Sequence, residues 1–357
     1  MHVYIGTYAK PDAPGIFHLL LDPATGKLTA AKPASGIENP SFVAVAPNHK
    51  FLYSVAEVDT FKGAKGGGVV GFAIDPKTGD LTKLNEQATG GASTCHVTVD
   101  HTSHCVMVAS YSGGSIAACT INAQGELSPR TAFIQHTGSS VDKGRQEGPH
   151  AHSIYPSPDN RFALSCDLGL DKILVYKLDP VKGTLTPNDP PSVSVKPGSG
   201  PRHFAFHPSG KFGYLITEMG QTVIAFSYNA DKGSLTELQT LSTVASPHKG
   251  NSCAEIYCHP NGKFVYGSNR GADNIAIFKI DQLTGKLTAI GHQGSGIKEP
   301  RGFGIDPTGR WMLVASQNGD NVQVFSIDGE TGALLPTGEK VSVPKPVCVE
   351  FLNMAQQ

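Results

Sequence analysis

Apolar residues fall in short runs that alternate with polar ones, as in "NIAIFKID" at 274–281 and "FVYGSN" at 264–269. Period-two alternation puts one face of a strand in a core and the other outside. Clusters of Gly, Pro, Asn and Asp bound these runs, which predicts many short strands. With 41 Gly and 25 Pro, long helices are not expected.

The turns repeat. "DPATGKLT" at 22–29 recurs as "DPKTGDLT" at 75–82, "INAQGELS" at 121–128 and "DPVKGTLT" at 179–186. Further copies are "NADKGSLT" at 229–236, "DQLTGKLT" at 281–288 and "DGETGALL" at 328–335, seven in all. Their glycines, from Gly26 to Gly332, are about 50 residues apart, a period typical of propeller blades. A hairpin turn needs such a glycine where φ is positive. A second turn, as in "HPSGKF" and "HPNGKF", recurs between them in only six copies. Each unit therefore holds four strands, A to D, with the second turn joining A to B and the first joining C to D.

The missing copy predicts how the ring closes. The chain opens on "HVYIGT", a B strand, and its last strand, "PVCVEFL", is an A strand. One blade would take A from the C-terminal end and B, C and D from the N-terminal end. Residues 2–8 should then pair with 347–352, which protects the sheet edges. The expectation is an all-β, seven-bladed β-propeller forming one domain over residues 1–357. Two β-sandwiches would leave the repeat unexplained.

Topology also sorts the loops. A–B and C–D turns share the bottom face, and B–C and D–A loops share the top. The bottom turns are repetitive, whereas the top loops vary as a binding face does. B strands end at the top in Glu57, Tyr111, Asp167, Glu218, Arg270 and Gln317. The D–A loops read "NPSF", "STCH", "GPHAH", "GPRH", "NSCA", "EPRG" and "KPVC". His150, Arg202 and Arg301 thus enter inner strands from the top. With Glu218 and Arg270 they should converge at the mouth of the central channel.

His150 and His152 are two apart and are expected on one side of a strand. A metal site would need a third ligand, for which Asp167 and Glu218 are candidates, but three arginines nearby oppose a cation. His150 at a loop end is either a backbone cap or a chemical group. Arginines bind carboxylate or phosphate in a bidentate fork, or pair with Glu218 or Glu57 as channel salt bridges. "GAKGGG" at 63–68 lacks a Gly-Lys-Ser/Thr ending and precedes a strand, so it is not a phosphate loop. "HTSH" at 101–104 belongs to a bottom turn and should face solvent.

Net charge is −1, which argues against a nucleic-acid or anionic-membrane surface. No stretch is apolar enough to cross a bilayer, and the first residues show no leader pattern. Seven cysteines, without CxxC or zinc spacing, suit reduced thiols in a cytoplasmic protein.

The segments "EGPHAHSIYPSPDNRF", "GSGPRHFAFHPSGKFGYLITE", "GKFVYGSNRGADNIAIFKID" and "PRGFGIDPTGRWMLVASQNGDNVQVF" resemble the propeller lactonase family. That family includes propeller-type 6-phosphogluconolactonases and fungal carboxy-cis,cis-muconate lactonizing enzymes. The resemblance spans the chain and implies a seven-bladed propeller. In its muconate branch, which works without metal, one His, two Arg and one Glu form the site. These fall on His150, rather than His152, and on Arg202, Arg270 and Glu218. "GPHAHS" and "SNRGADN" are closer to the phosphogluconolactonase branch, and a cysteine fills "NSCAEI".

The resemblance implies hydrolysis of a sugar lactone, with 6-phosphogluconolactone foremost. His150 would act as general base and then acid, and Arg202 and Arg270 would hold the oxyanion. Glu218 would orient an arginine or the water. Arg301 with His203 would hold a remote phosphate, and His152, Gln317 and Glu57 would complete substrate binding. No cofactor is expected, and the ligand is a small lactone. A lactonizing cycloisomerase could use the same groups. A non-catalytic propeller binding small anions is the rival from another class; a scaffold would instead show aromatics on top.

Overall fold

The computed structural model describes residues 1–246 and 248–352. The chain forms seven four-stranded antiparallel blades. Blade 1 joins the two ends of the chain, with A Pro346–Leu352, B His2–Thr7, C Pro14–Leu21 and D Leu28–Ala30. Strand Ala34–Ser35 also pairs with its C strand. His2 lies opposite Leu352 and Thr7 opposite Pro346, so the ring closes as expected.

The other A strands are Val43–Val45, Thr94–Val99, Ala151–Pro156, Pro201–Phe206, Ser252–Cys258 and Pro300–Ile305, for blades 2 to 7. Consecutive A strands touch one another around the ring and line its axis. The B strands, such as Phe51–Ala56, Phe162–Asp167 and Phe212–Thr217, are buried along their whole length. A strand covered on both faces reads as a continuous apolar run. The seven apolar clusters of the core hold side chains of neighbouring blades together.

A repeated staple joins blade to blade. Tyr53 in strand B of blade 2 donates its hydroxyl to the Gly125 carbonyl in the C–D turn of blade 3, at 2.9 Å. Tyr4 does the same to Gly79, Tyr214 to Gly285 and Tyr266 to Gly332. Gly125 has φ +83°, and a Cβ there would lie 2.2 Å from the Phe51 ring. Left-handed backbone and a neighbouring ring thus both demand glycine in this turn.

"HTSH" lies in the bottom turn of blade 3 with His101 and His104 exposed. Residues 60–65 form a small hairpin, Thr60–Phe61 with Ala64–Lys65, leading into strand Gly68–Ile74. Among the described residues no helix is long and apolar enough to cross a membrane.

Candidate active site

A strands enter from the top, and there most of them carry a β-bulge. In blade 4, Ala151 pairs with Asp167 but Ser153 pairs with Cys166, leaving His152 as the extra residue. The same shift frees Cys95 in blade 3, Arg202 in blade 5 and Arg301 in blade 7. A bulge re-aims its side chain relative to the strand's alternation. Here the four bulge residues meet at the axis. Cys95, His152 and Arg301 line the upper pocket, and Arg202 lines the neck beneath it.

Glu57, Tyr111, Glu218 and Arg270, from the tops of B strands, complete the upper pocket together with Arg145. Its volume is about 230 Å³, on the scale of a single sugar ring. The neck below holds about 10 Å³, room for no more than a water.

Glu218 is the hub. Its Oε2 accepts from Arg202 Nε at 3.0 Å and lies 3.0 Å from Arg270 Nη2. Its Oε1 accepts from Arg145 Nη2 at 2.6 Å. Burial alone would raise this carboxyl, but Arg270, Arg202 and Arg145 outweigh it and hold it at about 2. Arg202 is fixed further by the Ala254 carbonyl at 2.6 Å, and Arg270 by the Cys253 carbonyl at 2.9 Å. Burial and then Arg202 bring Arg270 down to about 10, so it remains charged at neutral pH.

Arg301 differs. Among the described residues it makes no hydrogen bond, and its guanidinium lies 5.4 Å from the Tyr8 ring centroid. Burial opposes its charge, while Tyr8, Glu57 and Glu218 favour it, and the balance raises its pKa. Glu57 accepts from Ser41 and, at 3.4 Å, from the Tyr8 hydroxyl. Burial nevertheless pushes the Glu57 carboxyl up. Counting the wall alone, Arg145, Arg270 and Arg301 exceed Glu57 and Glu218, so the pocket suits an anion.

His152 is 4 % exposed and stands within this positive field. Burial, then Arg202, His203 and Arg301, keep its pKa well below the ordinary value, so the imidazole is neutral. His150 occupies a different position from the one expected. It is not among the residues lining the pocket; its ring stacks on Tyr111 with centroids 4.5 Å apart. Its Nδ1 is 3.0 Å from the Tyr111 carbonyl, its Nε2 3.4 Å from Glu147, and its N–H bonds Asp167. The bulge at His152 breaks period two, so the two histidines do not share a face.

Other expected residues also move apart. His203 lines the neck together with Arg301, its Nδ1 2.8 Å from Glu255, but unlike Arg301 it does not line the upper pocket. The neck, at about 10 Å³, has no room for a phosphate between the two. Gln317 begins a 3-10 turn outside the pocket, its Oε1 buried without a hydrogen-bond partner among the described residues. Arg202 supports Glu218 from behind and does not reach the upper pocket. Asp167 caps the loop, bonding His136 at 2.6 Å and the N–H groups of His150 and Leu170. Among the described residues no three His, Cys, Asp or Glu side chains are grouped to hold a metal ion.

Arg145 and Tyr111 add to the sequence-derived set. Arg145 Nη2 also bonds the Tyr111 hydroxyl, at 3.1 Å. It comes from the stretch between Gln135 and Ala151, whose unusual length is the signal that could have found it.

Comparison with known proteins agrees with this architecture. Residues 2–351 match the family described as "Lactonase, 7-bladed beta-propeller". A 6-phosphogluconolactonase of Bacillus subtilis is 37% identical over 351 residues, covering 98% of each chain. The crystal structure of a putative 6-phosphogluconolactonase from Bacteroides fragilis superposes with TM-score 0.92 at 38% identity, covering 99% of this chain and 98% of that one. The periplasmic gluconolactonase of Pseudomonas aeruginosa gives TM-score 0.91 at 31% identity, covering 99% of both.

Proposed function

The chain belongs to the lactonase family of seven-bladed β-propellers, and from that premise we propose that it hydrolyses 6-phosphogluconolactone to 6-phosphogluconate. The observation that carries this reading is a sugar-sized pocket where charged guanidinium groups surround a neutral imidazole.

Lactone hydrolysis needs water deprotonated, an oxyanion held and the ring oxygen protonated. His152 takes the proton from the attacking water as the new C–O bond forms at the lactone carbonyl. Arg270 and Arg145 stabilise the charge on the carbonyl oxygen, acting as fixed donors in a confined site. The tetrahedral intermediate collapses by breaking the ring C–O bond. His152 returns its proton to that oxygen, which leaves as a hydroxyl. A base held far below neutrality is weak, but a sugar lactone is already reactive, and oxyanion charge beside the imidazole raises its pKa as the reaction proceeds. Glu218 fixes Arg145 and Arg270, and Arg202 fixes Glu218. Arg301, which makes no hydrogen bond among the described residues, takes the phosphate. Glu57 steadies the opposite wall.

His150 acts through Tyr111 in this scheme and does not touch the lactone. The test is a matched pair of variants assayed by proton release. His152→Ala should lower kcat by roughly 10²–10⁴ with little change in KM. His150→Ala should lose no more than about tenfold. The opposite order would return the base to His150.

The seven cysteines are all unbonded, and six are buried, which supports a reducing cytoplasm as the site of action. The Pseudomonas aeruginosa relative is described as periplasmic, so the fold by itself does not fix the compartment.

A further inference from the structure

Below the neck the axis widens again into a cavity of about 330 Å³ at the bottom face. It is formed by the lower halves of the A strands, where alternation has resumed after the bulges. Its walls include the rings of Phe42, Tyr155, Phe206 and Tyr257. Glu255 and Glu350 are the charged side chains of the lining, which has no Lys or Arg.

The polar atoms here are incompletely used. Glu255 Oε1 accepts from the Ile256 N–H at 3.0 Å and lies 2.8 Å from His203 Nδ1. Glu350 Oε1 accepts from the Val45 N–H at 3.1 Å. Among the described residues, neither second oxygen has a hydrogen-bond partner. At the roof, His96 Nε2 and His203 Nε2 are buried without one. Aromatic rings combined with carboxyl groups, in a lining without Lys or Arg, recognise positive charge on an organic group. The channel is therefore polarised, with guanidinium groups above the neck and carboxyl groups below.

We propose that this lower cavity is a second binding site, for a small organic ammonium cation. The rings hold the alkylated nitrogen, and the free carboxylate oxygens balance its charge. The narrow neck makes the site separate from the lactone pocket, so the proposal does not depend on the reaction above.

Protonation supports the geometry. Burial raises Glu255 to about 8, against the opposing pull of Arg202, the Ile256 N–H and Arg301. Burial raises Glu350 to about 7, opposed by the Val45 N–H and reinforced by Glu255. The other titratable groups around them are His203, His96, Tyr155, Tyr257, Cys258 and Cys348. Both carboxyls are partly or wholly protonated near neutrality, and a cation displaces those protons. Affinity should rise with pH and binding should release protons.

The test is calorimetric titration of the whole protein with choline chloride, at about pH 9 and about pH 6. Expected are a saturable site with Kd of about 1 mM or tighter at the higher pH, and at least about tenfold weaker binding at the lower. The neutral isostere 3,3-dimethylbutan-1-ol should bind at least about tenfold more weakly than choline. Glu350→Gln should weaken choline about tenfold, and Tyr257→Leu roughly 2–30-fold, each with a parent-like melt. Having two variants guards against one that fails to fold. No saturable heat from choline at up to about 50 mM would overturn the proposal. So would equal affinity for the neutral isostere, which would make the cavity merely apolar.

Discussion

Replacing Glu218 with glutamine keeps the shape of the hub and removes its charge. Arg202, Arg270 and Arg145 would then repel one another with no carboxylate among them. Holding the carboxyl at about 2 instead of 4.5 corresponds, at ~1.36 kcal/mol per pH unit, to about 3 kcal/mol of folding free energy at neutral pH. Glu218 is 7 % exposed, so solvent screens little of this. That size agrees with the ~3–5 kcal/mol seen when one partner of a buried ion pair is removed. The sign follows from a depressed pKa. The stabilisation is complete above the unfolded value, near 4.5, and disappears as pH falls through the folded value, near 2. Denaturant unfolding of parent and Glu218→Gln should differ by about 3 kcal/mol at pH ~7 and by only about 1 kcal/mol at pH ~3. Equal stability at neutral pH, or a deficit undiminished in acid, would refute the assignment of Glu218 as the hub. Activity should fall as well, because Arg145 and Arg270 lose their common anchor.

Other outcomes follow from the same geometry. Arg301→Ala should raise KM for 6-phosphogluconolactone by at least about tenfold while leaving an unphosphorylated gluconolactone nearly unchanged; equal effects on both would remove the phosphate from Arg301. A chelator should leave hydrolysis unaffected, and activity restored by added cation would require ligands this site does not group together. Deleting residues 2–7 should cost several kcal/mol, since a wholly paired inner strand is lost, and an unchanged melt would contradict the closure. Thiol titration of the unfolded protein without reductant should count all seven cysteines, and missing thiols would argue for an oxidising compartment.

The fold was legible because its signals are local. A glycine that must take positive φ and an alternating run each mark a turn or a strand without reference to anything distant. Counting seven turns of one kind against six of another even located the closure. The tops of the B strands were legible for the same reason, and Glu218, Arg270 and Glu57 reach the pocket as expected. The histidines were not, because strand parity fails at a bulge. "GPHAH" looks like "GPRH", but Ala151, not Pro149, pairs as Pro201 does, so His152 and Arg202 are equivalent. Arg145 was hidden differently: nothing local fixes where a long loop folds back. The lower cavity was also out of reach, since Glu255 and Glu350 lie far apart in sequence and meet only when the ring forms.

That closure has a consequence for how the molecule is made. Strand His2–Thr7 emerges from the ribosome before the strands of blades 2 to 7, yet one of its two edges waits for Pro346–Leu352, which follows all of them. At roughly 5–20 residues per second, the stretch from Thr7 to Pro346 takes some tens of seconds to synthesise. Throughout that time blade 1 presents "HVYIGT" with open hydrogen-bonding groups along one side, while later blades complete their four strands as they appear. An exposed strand edge recruits other chains. A nascent chain that stalls anywhere before Pro346–Leu352 is therefore both unfinished and adhesive.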